Sequence, residues 1–236
     1  MKKLLTTLAL SMLFCSVATA SPLTNFSQGK GSIDLTFRNT QDTIMGIDEL
    51  DCDATSNWPK KNNFDGTVTY SLNSRFAVQY RNFASKSETY HSDNNWFTEL
   101  SSGNLKITTN EFNILYKLNK NTDAFVGWVG VKGKYQDLET SEFSGIFHAK
   151  NYYQLGVVTS TAIADKTILW GSAAVGNKLE NYEAGVGYQI SPALEFNVDY
   201  RYLKSKGFSF NDGNSDELSN LSLMAKGLGF GLTYKY

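Results

Sequence analysis

His91-Ser92-Asp93 and Asp51-Cys52-Asp53 are the places in this 236-residue chain where residue types and spacing could support hydrolysis. A carboxylate pair can position a water, and a histidine oriented by an aspartate can take its proton. The chain holds two histidines, and the second, His148, is followed by Ala149 and Lys150, so no convincing nucleophile–base set forms around it. Both candidate sets lie in polar stretches without periodicity, and such loops do not hold a base and a water in register without rigid support. Two acidic runs, 48–53 and 211–217, offer oxygen ligands to divalent cations, but neither has calcium-loop spacing. The expectation is a non-enzyme with no catalytic, cofactor or metal site. Tyr90, Trp96, Phe97, Phe143 and Phe147, in or beside the same stretches, either contact an external partner or pack the loops down.

The elements that must position these groups are β-strands. Large apolar side chains alternate with small or polar ones, which sends the two sets to opposite faces of an extended chain. Ile33, Leu35 and Phe37 alternate with Asp34, Thr36 and Arg38; Phe64, Val68 and Tyr70 with Asp65, Thr67 and Thr69. Further segments run near 76–81, 112–118, 124–135, 153–160, 167–176, 182–190 and 194–202. The chain ends on Leu228, Phe230, Leu232, Tyr234 and Tyr236 with Gly, Thr and Lys between them. Ten strands result, or eight if the weakest pair is misread. In 124–135 and 167–176 both faces are apolar, so the pattern leaves their facing open. Short turns alternate with connections that read as long and polar: 39–63, 84–104, 136–147 and 204–221, with 177–181 short. Pro22, Pro59 and Pro192 all fall in tail, loop or turn, where the missing N–H costs a sheet nothing.

The N-terminus carries an export signal: Lys2 and Lys3, an apolar run from Leu4 to Val17, and the small residues Ala18-Thr19-Ala20 before Ser21. Cleavage after Ala20 removes Cys15 and leaves Cys52 alone, so an internal disulfide framework is excluded. It also removes two lysines and shifts the net charge from −1 to −3. Neither that balance nor any basic run suggests nucleic acid. No stretch after residue 20 is apolar enough for a membrane helix, yet a greasy strand face on an exported chain suits a wall between lipid and water.

The last nine residues resemble the C-terminal signal of bacterial outer-membrane β-barrel proteins, a terminal aromatic preceded by alternating hydrophobics. By this motif, the signal sequence and the alternation of turns and loops, the chain resembles the superfamily of small porin-like and OmpA-like barrels. The resemblance implies an all-β fold: a closed antiparallel transmembrane barrel over 31–236, after a cleaved signal over 1–20 and a short periplasmic segment over 21–30. It implies the bacterial outer membrane as location, with outer-membrane lipids and lipopolysaccharide as surroundings. It also implies that the barrel-assembly machinery reads Leu228, Phe230, Leu232, Tyr234 and Tyr236. Strand-end aromatics, among them Phe64, Tyr135, Tyr182, Tyr202, Tyr234 and Tyr236, are expected in interfacial girdles. No peptidoglycan-binding module follows, which departs from the two-domain OmpA pattern. Omptin-type barrel proteases use a carboxylate pair and an Asp–His pair at the rim; here the order of His91 and Asp93 is reversed. Barrel lipid A deacylases need a His and a Ser two residues apart, which His148 lacks. A soluble secreted β-sandwich binding module would alternate in the same way and is the alternative fold.

Inside such a barrel the alternation places Asp34, Arg38, Asp65, Arg81, Glu111, Lys117, Glu183, Glu195, Asp199, Arg201, Lys226 and Lys235. Mixed signs in a narrow lumen should pair, since an unpaired buried charge is costly. Asp34, Arg38, Arg81, Glu195, Asp199 and Arg201 are the expected lumen charge network. Two functions stay open: a sealed barrel with a structural or surface-interaction role, including an extracellular ligand held by the loops, or a narrow passive pore. An outer-membrane barrel enzyme is the runner-up.

Overall fold

Alternation of side chains along an extended backbone becomes, in the computed structural model, a sheet that closes on itself. The structure describes residues 26–47, 53–89, 103–137, 145–211 and 218–236. Its strands are β1 (Gly31–Ile47), β2 (Asp53–Asn57), β3 (Lys61–Ser71), β4 (Phe76–Lys86), β5 (Gly103–Lys117) and β6 (Thr122–Asp137). They continue with β7 (Gly145–Ala164), β8 (Thr167–Gly176), β9 (Leu179–Ser191), β10 (Leu194–Asn211) and β11 (Leu218–Lys235). Neighbours pair antiparallel in chain order, and β11 returns to β1 from Ser32↔Lys235 to Met45↔Ser222, closing the barrel. Gly31 and Tyr236 finish the seam by exchanging two backbone hydrogen bonds of 3.1 Å. The Tyr236 ring lies over Gly31, where a Cβ would sit 2.5 Å from its Cζ and 2.8 Å from the Thr69 carbonyl oxygen, and the backbone contact makes this seam position favour glycine.

The wall has ten strands, because β2 and β3 share one position beside β1. Between them Trp58-Pro59-Lys60 stand opposite only Gln41 and Asp42, a bulge of one extra residue. Proline has no N–H for the ladder and is tolerated there, while Trp58 N still donates to Asp42 O at 2.9 Å. The β8–β9 hairpin is short, and above it β7 and β10 pair directly through Phe210↔Phe147 and Asn211↔Ile146.

On the outer wall an apolar band is bounded by aromatics. At the end away from the termini Phe37 meets Phe64 edge-on at 5.4 Å and Tyr182 stacks on Tyr202 at 6.0 Å. At the end bearing the termini Phe76 lies 5.1 Å from Tyr116 and Tyr234 lies 6.4 Å from Tyr236. Asparagines follow directly above the first girdle. Asn39 donates to Asn62 at 2.9 Å, and Asn110 Oδ1 accepts from both Asn82 (2.8 Å) and the Tyr80 hydroxyl (2.9 Å). A tilted strand crosses a bilayer in about 9–11 residues. β5, β6, β7, β10 and β11 have 15, 16, 20, 18 and 18, so the wall rises well beyond the band.

That overshoot corrects several expectations. Much of 39–63 and 204–221, and the ends of 84–104 and 136–147, are strand rather than loop, because β1, β10 and their neighbours continue into water, where neither face must be apolar. Lys226 points outward, in phase with Leu228, and not into the lumen. Tyr135 is buried inside the barrel and is no girdle residue. The two ambiguous strands now have a facing: Val126, Trp128 and Val175 are outside, while Phe125, Val129, Val131, Ile168 and Trp170 are inside.

Candidate functional site

Three layers fill the lumen. Nearest the termini, Phe26 turns back into the barrel mouth and packs with Ala77, Leu115, Phe125, Val158 and Ala174. The Lys117 ammonium lies 5.9 Å from the centre of the Phe26 ring. Above this plug lies a cavity of about 80 Å³, lined by polar side chains such as Thr36, Gln79, Asn113 and Asn197. That is room for a few waters.

The middle layer is ionic and sits level with the outer aromatic girdle. Its inward residues follow or precede girdle residues by one position: Arg38 after Phe37, Asp65 after Phe64, Arg81 after Tyr80, Glu183 after Tyr182 and Glu111 before Phe112. Arg38 reaches Asp199 at 2.5 Å, Glu183 at 3.0 Å and Asp65 at 3.2 Å. Arg81 holds Glu183 by two bonds of 2.7 and 2.8 Å and donates through Nε to Asp65 at 2.9 Å. Arg201 pairs with Glu111, lies 3.6 Å from Asp65 and stacks over Phe83 with 5.5 Å from its guanidinium carbon to the ring centre. Three guanidinium groups thus meet four carboxylates, with Asp65 touching all three arginines. Gly229 makes this possible, since a Cβ there would lie 3.0 Å from the Asp199 carboxylate and 3.2 Å from the Arg38 guanidinium carbon.

An amide relay crosses the lumen beside the ions. Gln79 donates to Thr69 (3.2 Å), Asn113 to Gln79 (3.1 Å) and Gln154 to Asn113 (2.8 Å). Asn181 donates in turn to Glu111 at 3.2 Å and takes up the Arg201 Nε–H at 3.5 Å. Each of these amides donates to an oxygen, which is what a polar group removed from bulk water requires.

Of the six residues expected to form the lumen network, the structure brings Arg38, Arg81, Asp199 and Arg201 into this layer. Asp34 and Glu195 lie one tier lower and do not join it. Asp34 accepts from Thr233 at 2.5 Å, Thr233 accepts from Asn197 at 2.6 Å, and Glu195 pairs with Lys235 at 2.6 Å. Asp65, Glu111 and Glu183 complete the central layer. Alternation places them in the lumen, but the stagger of the strands decides which charges meet, and no local sequence signal carries that.

The third layer, above the charges, is apolar. Ile44, Leu105, Ile107, Val131, Tyr135 and Leu223 are among fourteen described side chains buried in one cluster. Trp58, brought inward by the bulge, packs edge-on against Tyr135 at 5.6 Å. Phe147, expected in or beside a loop, is buried here 6.3 Å from Phe208. Asp42 and Ser85 form a polar pair within it, with Ser85 Oγ donating to the Asp42 carboxylate at 2.5 Å. Asp42 escaped the sequence reading because 39–63 reads as loop. The inversion has a physical cause. Within the band, lipid outside takes the apolar face and polar groups turn inward. Above it, water lies outside and the hydrophobic core must be the lumen itself.

His148 lies exposed in β7, beside the irregular pairing with β6. His91-Ser92-Asp93, Asp51-Cys52, Tyr90, Trp96, Phe97, Phe143 and the run 212–217 lie outside the described residues.

A comparison with curated protein sequences finds no match. Solved structures similar to this chain include Ail, the attachment invasion locus protein of Yersinia pestis, at 13% identity and a TM-score of 0.38, over 89% of this chain and 99% of that one. The outer membrane protease OmpT of Escherichia coli is similar at 12% identity and 0.47, over 95% and 100% of the two chains. OprG of Pseudomonas aeruginosa is similar at 11% and 0.40, over 90% and 98%. The model of the family described as "Outer membrane protein beta-barrel domain" matches residues 6–235. With nearly the whole chain matched, this protein belongs to the outer membrane protein β-barrel family, and its place is the bacterial outer membrane.

Proposed function

We propose that the protein is a sealed barrel with a structural and surface-interaction role, and not a solute pore or an enzyme. The observation that carries this reading is the filling of the lumen: an apolar layer above, a paired ionic layer at the girdle and the Phe26 plug below. A hydrated ion crossing that stack would shed water among Ile, Leu, Val and aromatic side chains, which offer it no ligands. What the fold supports instead is a rigid wall standing beyond the lipid, from which the connecting loops meet the outside, including an extracellular ligand. Export by a signal cleaved after Ala20 and insertion through recognition of Leu228, Phe230, Leu232, Tyr234 and Tyr236 by the barrel-assembly machinery belong to the same reading. So does the embedding of the wall in lipopolysaccharide.

The test is planar-bilayer recording of refolded full-length protein. A quiet membrane is expected, and stepwise conductance from the unaltered chain would overturn the reading. Cleavage of peptide or lipid A substrates, lost on His91→Ala or His148→Ala, would replace it with an enzyme.

A further inference from the structure

At the end of the barrel that bears the termini, two opposite charges face each other across neighbouring strands and do not meet. Lys117 on β5 stands directly opposite Asp123 on β6. Side chains in that relation have Cβ atoms about 5 Å apart, well within reach of an ion pair. Yet the Lys117 ammonium lies over the Phe26 ring, 5.9 Å from its centre. Both Asp123 oxygens are buried and have no hydrogen-bond partner among the described residues. A carboxylate taken out of water calls for a counter-charge or several donors. Here the cation placed to supply it is held by the plug instead. Phe26 covers the same spot, since it packs on Phe125, two residues along the inner face from Asp123, and on Val158, the β7 partner of Asp123.

The plug is joined to the wall by one turn. Lys30 N–H donates to Ser27 O at 3.0 Å, and Gly29, at φ +81°, donates to Ser71 O at 3.3 Å. Glycine reaches that conformation without strain, and a few residues of this kind suffice to absorb the dihedral change of a hinge. Beyond the turn the chain is fixed in the sheet, with Ser71 N–H donating to Lys30 O at 2.8 Å. Leu115, Phe125 and Val158, which seat the ring, also line the polar chamber above it. Lifting the ring therefore uncovers the floor of that chamber. Lys117 has two places to go. With the ring in, the ammonium has a π face and Asp123 has nothing; with the ring out, Lys117 can cross to Asp123 and water reaches both, but the burial of the ring is lost. Each arrangement gives up what the other gains, which is what a two-state element requires.

We propose that Phe26–Lys30 is a strap hinged at Gly29 that opens and closes the lumen chamber at the end bearing the termini. Lys117 is its latch, on the Phe26 ring when the strap is in and on Asp123 when it is out. The chamber wall offers amides and hydroxyls, among them Thr36, Gln79, Asn113 and Asn197, so what enters is water and small polar solutes. The apolar layer above the ions still blocks passage, so the open strap makes a pocket and not a pore. Conductance through the unaltered chain would overturn the seal above and leave the latch untouched, so the two readings fail separately.

Trp170 reports on the chamber, because its ring lines it. Replacing Trp58, Trp96 and Trp128 with Phe in the full chain leaves Trp170 as the sole tryptophan. The probe is acrylamide, added to this protein refolded in neutral detergent, with folding of every variant checked by heat-modifiable gel migration. Asp123→Asn removes the charge that draws Lys117 away from the ring and should lower the quenching constant by about twofold or more, whereas Phe26→Ala should raise it by about twofold or more. Quenching in Asp123→Asn equal to or above that of its parent would overturn the proposal, as would Phe26→Ala quenched no more than its parent. A second measurement reads the latch itself. In a cycle of Lys117→Gln and Asp123→Asn, the shifts in the urea midpoint should be close to additive while Phe26 is present. They should be clearly non-additive in the Phe26→Ala chain, where the two charges can pair. Equal coupling in both chains would mean that the pair forms beneath the ring as well, and the latch would be refuted.

Discussion

Replacing Arg81 with methionine should destabilise the barrel by about 3–5 kcal/mol, the range for breaking a buried ion pair from one side. The structure shows why the loss is concentrated there. Arg81 gives Glu183 two bonds of 2.7 and 2.8 Å and holds both oxygens of Asp65. Without it Glu183 keeps Arg38 at 3.0 Å, and Asp65 keeps Arg38 at 3.2 Å and Arg201 at 3.6 Å. Two arginines would then face four carboxylates in a layer closed above by the apolar core and open below only to a cavity with room for a few waters. Methionine fills similar volume, so a cavity contributes little to the change.

The companion variant Glu183→Gln removes one negative charge from a layer that has an excess of one, and should cost less than Arg81→Met. In Arg81→Met/Glu183→Gln the charge balance of the layer returns to its original value. Arg38 retains Asp199 and Asp65, and Arg201 retains Glu111. The double variant should therefore be more stable than the sum of the single losses predicts, by roughly 1–3 kcal/mol of coupling. Urea unfolding in lipid vesicles, followed by tryptophan fluorescence and by heat-modifiable gel migration, measures all four corners of the cycle. A loss below about 1 kcal/mol for Arg81→Met, or strict additivity, would refute the idea that these ions hold the strands as a unit.

Three further outcomes follow from other parts of the wall and lumen. Leu232→Arg, in the lipid-facing row of β11 opposite Leu35 and between the two girdles, should cost about 2–4 kcal/mol, whereas Lys226→Arg on the same face above the girdle should change stability little in the same unfolding assay. Phe147→Ala in the upper layer should lose about 3–5 kcal/mol of stability, and with Leu223→Ala it should yield conductance events absent from the parent in bilayer recordings. Gly31→Val should slow insertion into vesicles and lower the final folded fraction on gels, because its side chain would meet the Tyr236 ring at the closing seam.

The outer face within the membrane was the legible part of this chain. From Leu228 to Tyr236 and along β3, β4 and β10, lipid admits only apolar side chains on one face, so period two survives without interruption. Lys226 keeps phase with Leu228, and a cation there belongs with the lumen charges only in a lipid band that extends that far, which this one does not. The stretch 39–47 failed for the complementary reason. Asn39 and Gln41 face out while Thr40 and Asp42 face in, so both faces are polar and a strand reads as a loop.

The same change of surroundings explains the two strands whose facing the pattern leaves open. Along β6, Val129, Val131 and Tyr135 are as apolar as Val126 and Trp128, yet they point to opposite sides. A sequence records that a side chain is apolar, not whether the oily phase it meets is lipid or core. In this barrel the two phases change places at the girdle, and the ionic layer sits at that crossing. There it is flanked by an apolar core above and by the polar cavity below. A charge layer at the changeover is also the arrangement that fixes register most firmly, because slipping any one strand would carry a charge into lipid or into the upper core. Of the ionic layer, then, membership was readable from alternation, but its geometry depends on ten strands agreeing on one stagger. That is why Asp65, which alternation sends inward with the other lumen charges, is the one that touches all three arginines.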